Sequence, residues 1–96
     1  MVRRHSVRRS IRSSIASDIS ITKEVVEFLN SLPRTDAEIA EDDPTCFAVW
    51  INYGDEWDWQ VKNGLIYLDD KYSDDEPLTI PSFYEWAVDS LNSFND

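Results

Sequence analysis

Carboxylates are the residues in this 96-residue chain whose number and spacing could do chemistry. Thirteen of its nineteen acids lie between positions 36 and 76, where Lys62 and Lys71 are the only basic residues. They fall into three clusters: Asp36, Glu38, Glu41, Asp42 and Asp43; then Asp55, Glu56 and Asp58; then Asp69, Asp70, Asp74, Asp75 and Glu76. Carboxylate pairs act as general acids and bases where a cleft drives their pKa values apart, and these lie on expected turns. Such hard oxygen ligands suit calcium, but the 69–76 run lacks the alternating aspartates and the glycine that wrap an EF-hand loop around its ion. A solvated acidic loop is the simpler reading, and neither a metal nor a cofactor is expected.

Other reactive types are scarce. The single histidine, His5, sits in a basic N-terminal stretch, far along the chain from the single cysteine, Cys46. The two glycines, Gly54 and Gly64, both belong to expected turns, so no phosphate-cradling loop is present. The inventory argues against an enzyme. Trp50, Trp57, Trp59 and Trp86 have the chemistry of a base-stacking platform, but Asp55, Glu56 and Asp58 among them would repel phosphates. They are expected to be core, with one or two at the sheet edge able to anchor a protein interface. One cysteine excludes an internal disulfide and fits a reducing, cytoplasmic setting, with Cys46 in the core rather than on a metal.

The elements that must hold these groups are those of an α+β domain. Phe47, Val49, Ile51 and Tyr53 alternate with Cys46, Ala48, Trp50 and Asn52, a pattern apolar on both faces that predicts a central strand over about 46–53. Gly54-Asp55-Glu56 turns the chain into a strand over about 57–61, with Trp57 and Trp59 towards the core. Asn63-Gly64 is the strongest hairpin signal present, because both residues tolerate positive φ. A third strand follows over about 65–69, giving a three-stranded antiparallel meander, with a short edge segment at Leu78–Ile80.

Helices are expected over about 22–32, with Thr22 as cap and Pro33 beyond the end, and over about 82–93, where Ser82 and Glu85 form a capping box. Ile21, Val25, Phe28, Leu29 and Leu32 mark the core face of the first; Phe83, Trp86, Ala87, Leu91 and Phe94 mark that of the second. Both should cover the apolar face of the sheet. Thr35-Asp36-Ala37-Glu38 also reads as a capping box, and predicts a short helix or turn ending before Asp43-Pro44.

Charge is split along the chain. Residues 1–12 hold five arginines and no acid, while the remainder holds nineteen acids against four basic residues, a net of −15. The division is therefore a basic segment over 1–20 and a single acidic domain over 21–96. Val7, Ile11, Ile15 and Ile19 recur every four residues, which suits one helix face, though as odd positions they would also face one side of a strand; a helix across roughly 7–17 is favoured. For this segment a transit peptide, a basophilic kinase site at Arg3–Val7, a phosphate-gripping arm and a plain basic tail all compete. Since the sequence opens at Met1 with the arm in place, the arm is expected to be kept rather than removed. There is no apolar run able to span a bilayer, and no membrane association is expected.

An acidic body attracts basic surfaces and repels nucleic acid. The expectation is a small inhibitor that mimics nucleic acid and binds the basic surface of a nuclease, CRISPR effector or repressor, with no nucleic acid bound by the body itself. In size and acidity the chain resembles phage-encoded anti-CRISPR and anti-restriction proteins, a likeness of composition that no motif carries. An immunity protein or antitoxin covering a basic toxin is the alternative, and a high-salt proteome is the bland explanation of the charge. A homodimer is open if an aromatic edge or the Ile11–Ile19 stripe stays exposed. Everything turns on whether the three acidic clusters share one side of the fold.

Overall fold

The computed structural model describes residues 2–69 and 76–93, the side chains of 2–15 excepted. Helix α1 runs Val2–Asn30, followed by strands β1 (Thr35–Ile39), β2 (Cys46–Ile51), β3 (Glu56–Lys62) and β4 (Leu65–Leu68), and by helix α2 (Ile80–Ser93). The strands form one antiparallel sheet in chain order, β1-β2-β3-β4. The α+β class holds, but among the described residues the sheet has four strands rather than three. Leu78 adds a single bridge to Ile66, through two 2.8 Å backbone bonds, where the short edge segment was expected.

The added strand is Thr35–Ile39, where a capped helix or turn was expected. Thr35-Asp36-Ala37-Glu38 satisfies the capping pattern, yet the same residues alternate inward and outward with period two. Pairing decides the matter: β1 docks along β2 from Thr35↔Ile51 to Ile39↔Phe47. The Thr35 hydroxyl, free of any capping duty, donates to the carbonyl of Pro33 at 3.0 Å.

Helix α1 is continuous where a break before Thr22 was expected. Thr22 lies inside it, fully buried, and its hydroxyl donates 2.7 Å back to the Asp18 carbonyl. Ile19, Thr22, Val26 and Leu29 follow the three-four spacing of one helix face, so packing against the sheet carries the helix through Thr22. Pro33 ends the run. Among the described residues no helix is long and apolar enough to cross a membrane.

At α2 the cap is Thr79 rather than Ser82. Its hydroxyl oxygen accepts the Ser82 N–H at 3.2 Å, and its carbonyl accepts the Phe83 N–H at 2.9 Å. Pro81 then sits in the first turn, where no intrahelical N–H is needed.

Both helices cover the same face of the sheet. Val25, Val26 and Leu29 of α1 and Phe83, Ala87 and Leu91 of α2 close over Phe47, Val49, Ile51, Trp59, Val61 and Ile66. Phe83 is the hub, edge-on to Phe47 at 5.7 Å and to Trp59 at 5.0 Å. Phe28 and Tyr84 join the two helices, with ring centroids 4.1 Å apart. Tyr53 leaves the expected strand: it forms a left-handed turn with Asn52 (φ 58° and 55°) and is 77% exposed. The turn therefore falls earlier than Gly54–Glu56, and Gly54 closes it by donating to the Ile51 carbonyl at 3.0 Å. Asn63-Gly64 turns as expected, with φ of 54° and 79°.

Two polar side chains of α1 fix it across the sheet. The Asp18 carboxylate, 5% exposed, accepts the Asn63 and Gly64 N–H groups, one on each oxygen at 3.0 Å. Twelve residues on, the Asn30 amide pairs with the free edge of β1, donating to the Ala37 carbonyl at 3.0 Å and accepting its N–H at 2.8 Å. Asp18→Asn keeps the shape but loses the charge and turns one acceptor into a donor facing an N–H. Hydrogen bonds to charged groups contribute about 1.5–3 kcal/mol, so urea denaturation should show a loss of about 2 kcal/mol. Amide exchange at Asn63 and Gly64 should accelerate beyond that of the other hairpin amides.

Candidate functional site

Because side chains alternate along a strand, the face opposite the helices carries the even-numbered residues of β1, β2 and β3. The register sets them in rows: Asp36, Trp50 and Glu56 in one, Glu38, Ala48 and Asp58 in the next. Two columns of carboxylates therefore flank a central column of Trp50 and Ala48. Residues two apart on a strand are about 6.8 Å apart, and the columns, separated by β2, are about 10 Å apart. Along the strand direction this block presents one charge per about 3.4 Å, the axial density of one strand of duplex DNA.

The β1–β2 loop and the residue after β4 extend the set. Glu38, Asp42, Asp43, Glu56, Asp58 and Asp69 line one open depression of about 390 Å³, with Ala40, Cys46, Ala48 and Trp50 also in its wall. Asp69 is placed there by its backbone N–H, which donates to the Asp58 carbonyl at 2.8 Å. Asp43 is held by its own loop: one carboxylate oxygen accepts the Thr45 N–H at 3.0 Å and the Thr45 hydroxyl at 2.6 Å. These bonds, the hydroxyl first, hold the Asp43 carboxyl below the usual range.

Crowding shows at Glu56. Its carboxyl is held above the usual range, first by a hydrogen bond to Asp58, then by the Asp58 charge, by desolvation and by the Glu38 charge. The Cys46 thiol, half-buried at the edge of the depression, donates to the second Asp43 oxygen at 3.4 Å. Burial first, then that carboxylate, push it up to about 11, so it is neutral at physiological pH. A thiol so placed is a poor nucleophile.

The expected acidic residues are thus partly gathered. Six line the depression and Asp36 shares its face. Glu41 is exposed on the β1–β2 loop and Glu76 is exposed ahead of Leu78. Asp55 does not join them: it lines a cleft of about 250 Å³ with Trp57 and Trp86. Asp70, Asp74 and Asp75 lie outside the described residues. Trp50, half-buried among the carboxylates, is the site residue that composition alone passes over. The signal for it is its even number in β2, opposite the parity of Phe47, Val49 and Ile51.

Glu56→Gln separates repulsion from folding. A raised folded-state pKa means that the native state holds its proton more tightly than the unfolded chain. Stability from this group is present at low pH and is lost as pH rises through the folded-state pKa. Glutamine removes that loss, so the variant should have the higher urea midpoint at pH 7, and the difference should close near pH ~3, below the usual glutamate value of about 4.3. At pH 8, Cys46 should be alkylated by iodoacetamide at least about tenfold more slowly than in the urea-unfolded chain. Comparison with known proteins finds no matching family model, no similar curated protein and no similar solved structure, so the site is read from its own geometry.

Proposed function

We propose that this chain is a small inhibitor whose open sheet face binds the basic, nucleic-acid-binding surface of another protein, as a nucleic-acid mimic. The observation that carries this reading is the convergence of acids from β1, the β1–β2 loop, β3 and the end of β4 on the one face that neither helix covers. A sheet is a stiff support, so the charges are ordered before binding and little entropy is lost in placing them. Trp50 at the centre supplies the aromatic anchor that a protein partner uses and a phosphate backbone does not. The chain acts by occupancy rather than catalysis, in a reducing compartment, and its partner is a nuclease, CRISPR effector or repressor with a basic groove.

Such binding depends on counterions, so the affinity should fall steeply with salt. The test is a gel-shift competition with the partner retained on the immobilised protein. The wild-type chain should displace nucleic acid from that partner, and the triple variant Glu38→Gln, Glu56→Gln, Asp58→Asn should need at least about tenfold more protein to do so, since each charge contact contributes up to a few kcal/mol. Nucleic-acid binding left intact at saturating protein, or a triple variant equal to wild type, overturns the reading. Growth protection against a basic toxin whose nucleic-acid binding is untouched would replace it with an immunity role.

A further inference from the structure

Strand β3 divides two sites. Glu56 and Asp58 point to the open face, while Trp57 points to the helix side. Trp57 is 43% exposed although it lies on the core face of its strand. Its ring stands 5.7 Å from that of Trp86 with the planes 76° apart, and both indoles line the 250 Å³ cleft. Asp55, Ile51, Ser90 and Ser93 complete the lining. Trp86 is braced from behind by Trp59 at 4.9 Å and Phe83 at 5.5 Å, so this wall is fixed. Asp55 is delivered by the turn in which Asn52 and Tyr53 both hold left-handed backbone, a conformation unfavourable for tyrosine.

Two nearly perpendicular indoles beside a carboxylate form the chemistry that receives an organic cation. Ring faces attract the positive charge and the carboxylate neutralises it, while an aliphatic or neutral polar group gains from neither. A guanidinium fits better than an ammonium, because it is planar, weakly hydrated and able to stack on an indole while it bonds a carboxylate. We propose that the Trp57–Trp86–Asp55 cleft is a binding pocket for an arginine side chain. The ligand's source rests on the inhibitor reading above: a basic partner that grips the β2–β3 end meets the carboxylate columns on one side and this pocket on the other. The pocket's affinity for a guanidinium does not rest on it.

The test uses the full chain, a blocked Gly-Arg-Gly peptide and the same peptide with citrulline, which keeps the shape and lacks the charge. Indole N–H resonances are followed by NMR. The arginine peptide should shift the Trp57 and Trp86 signals saturably, and the citrulline peptide should not. Asp55→Asn, at an exposed position, should weaken binding about fivefold and Trp57→Ala about tenfold. No saturable shift, equal shifts with citrulline, or movement at Trp50 with Trp57 and Trp86 silent would overturn the assignment. Because the peptide needs no partner, a positive titration stands even if the gel-shift competition fails.

Discussion

The fold depends on the bond between a helix side chain and a hairpin turn. Asp18 is a buried carboxylate, and burying a charge is costly unless it is fully bonded. Both of its oxygens are satisfied by the Asn63 and Gly64 N–H groups, which point outward from their turn because both residues are left-handed. The turn chemistry and the helix position are therefore one constraint. With Asp18 fixed over the β3–β4 turn and Asn30 fixed along β1, α1 lies across β1, β2 and β3. The apolar residues between these anchors have one place to go, and α2 fills the remainder of the same face.

Everything on the other face follows from that one-sidedness. Once both helices share a side, period two exports every even-numbered residue of β1 to β3 to the open side. Asn30 has a second effect there. By pairing with Ala37 it occupies the outer edge of β1, the strand that would otherwise offer free backbone groups to another sheet. The exposed outward groups of that strand are carboxylates, which also discourage edge-to-edge pairing.

Much of this was legible in the sequence, and the failures share a cause. Class, central strand, hairpin and helix faces, Phe94 lying outside the described residues, came from periodicity and turn residues, which report local preference directly. The β1 strand was missed because Thr35–Glu38 satisfies a helix-start pattern and a strand pattern equally, and only its partner strand and Asn30 choose between them. The break before Thr22 was expected on the strength of a local cap, yet the residue is a buried link in a longer helix. At the site, parity already placed Trp50 opposite Val49, but the side chosen by the helices is a tertiary fact. Asp55 shows the reverse: adjacent in sequence to Glu56, it is sent to the other side by a turn that falls two residues earlier than Gly54–Glu56 implied.

The acidic face also shows which of its repulsions matter. Charges across the columns are about 10 Å apart, beyond the Debye length of about 8 Å at physiological salt, whereas Glu56 and Asp58, neighbours along β3, come within hydrogen-bonding reach of each other. That ordering matches Glu56, whose carboxyl responds first to Asp58 on its own strand and last to Glu38 across the sheet. Repulsion is therefore strongest along β3. A cation held at that position relieves it directly, because it lies within a Debye length of both carboxylates at once. A face built this way favours a partner with fixed basic groups over diffuse counterions, and β3 is where such a group gains most.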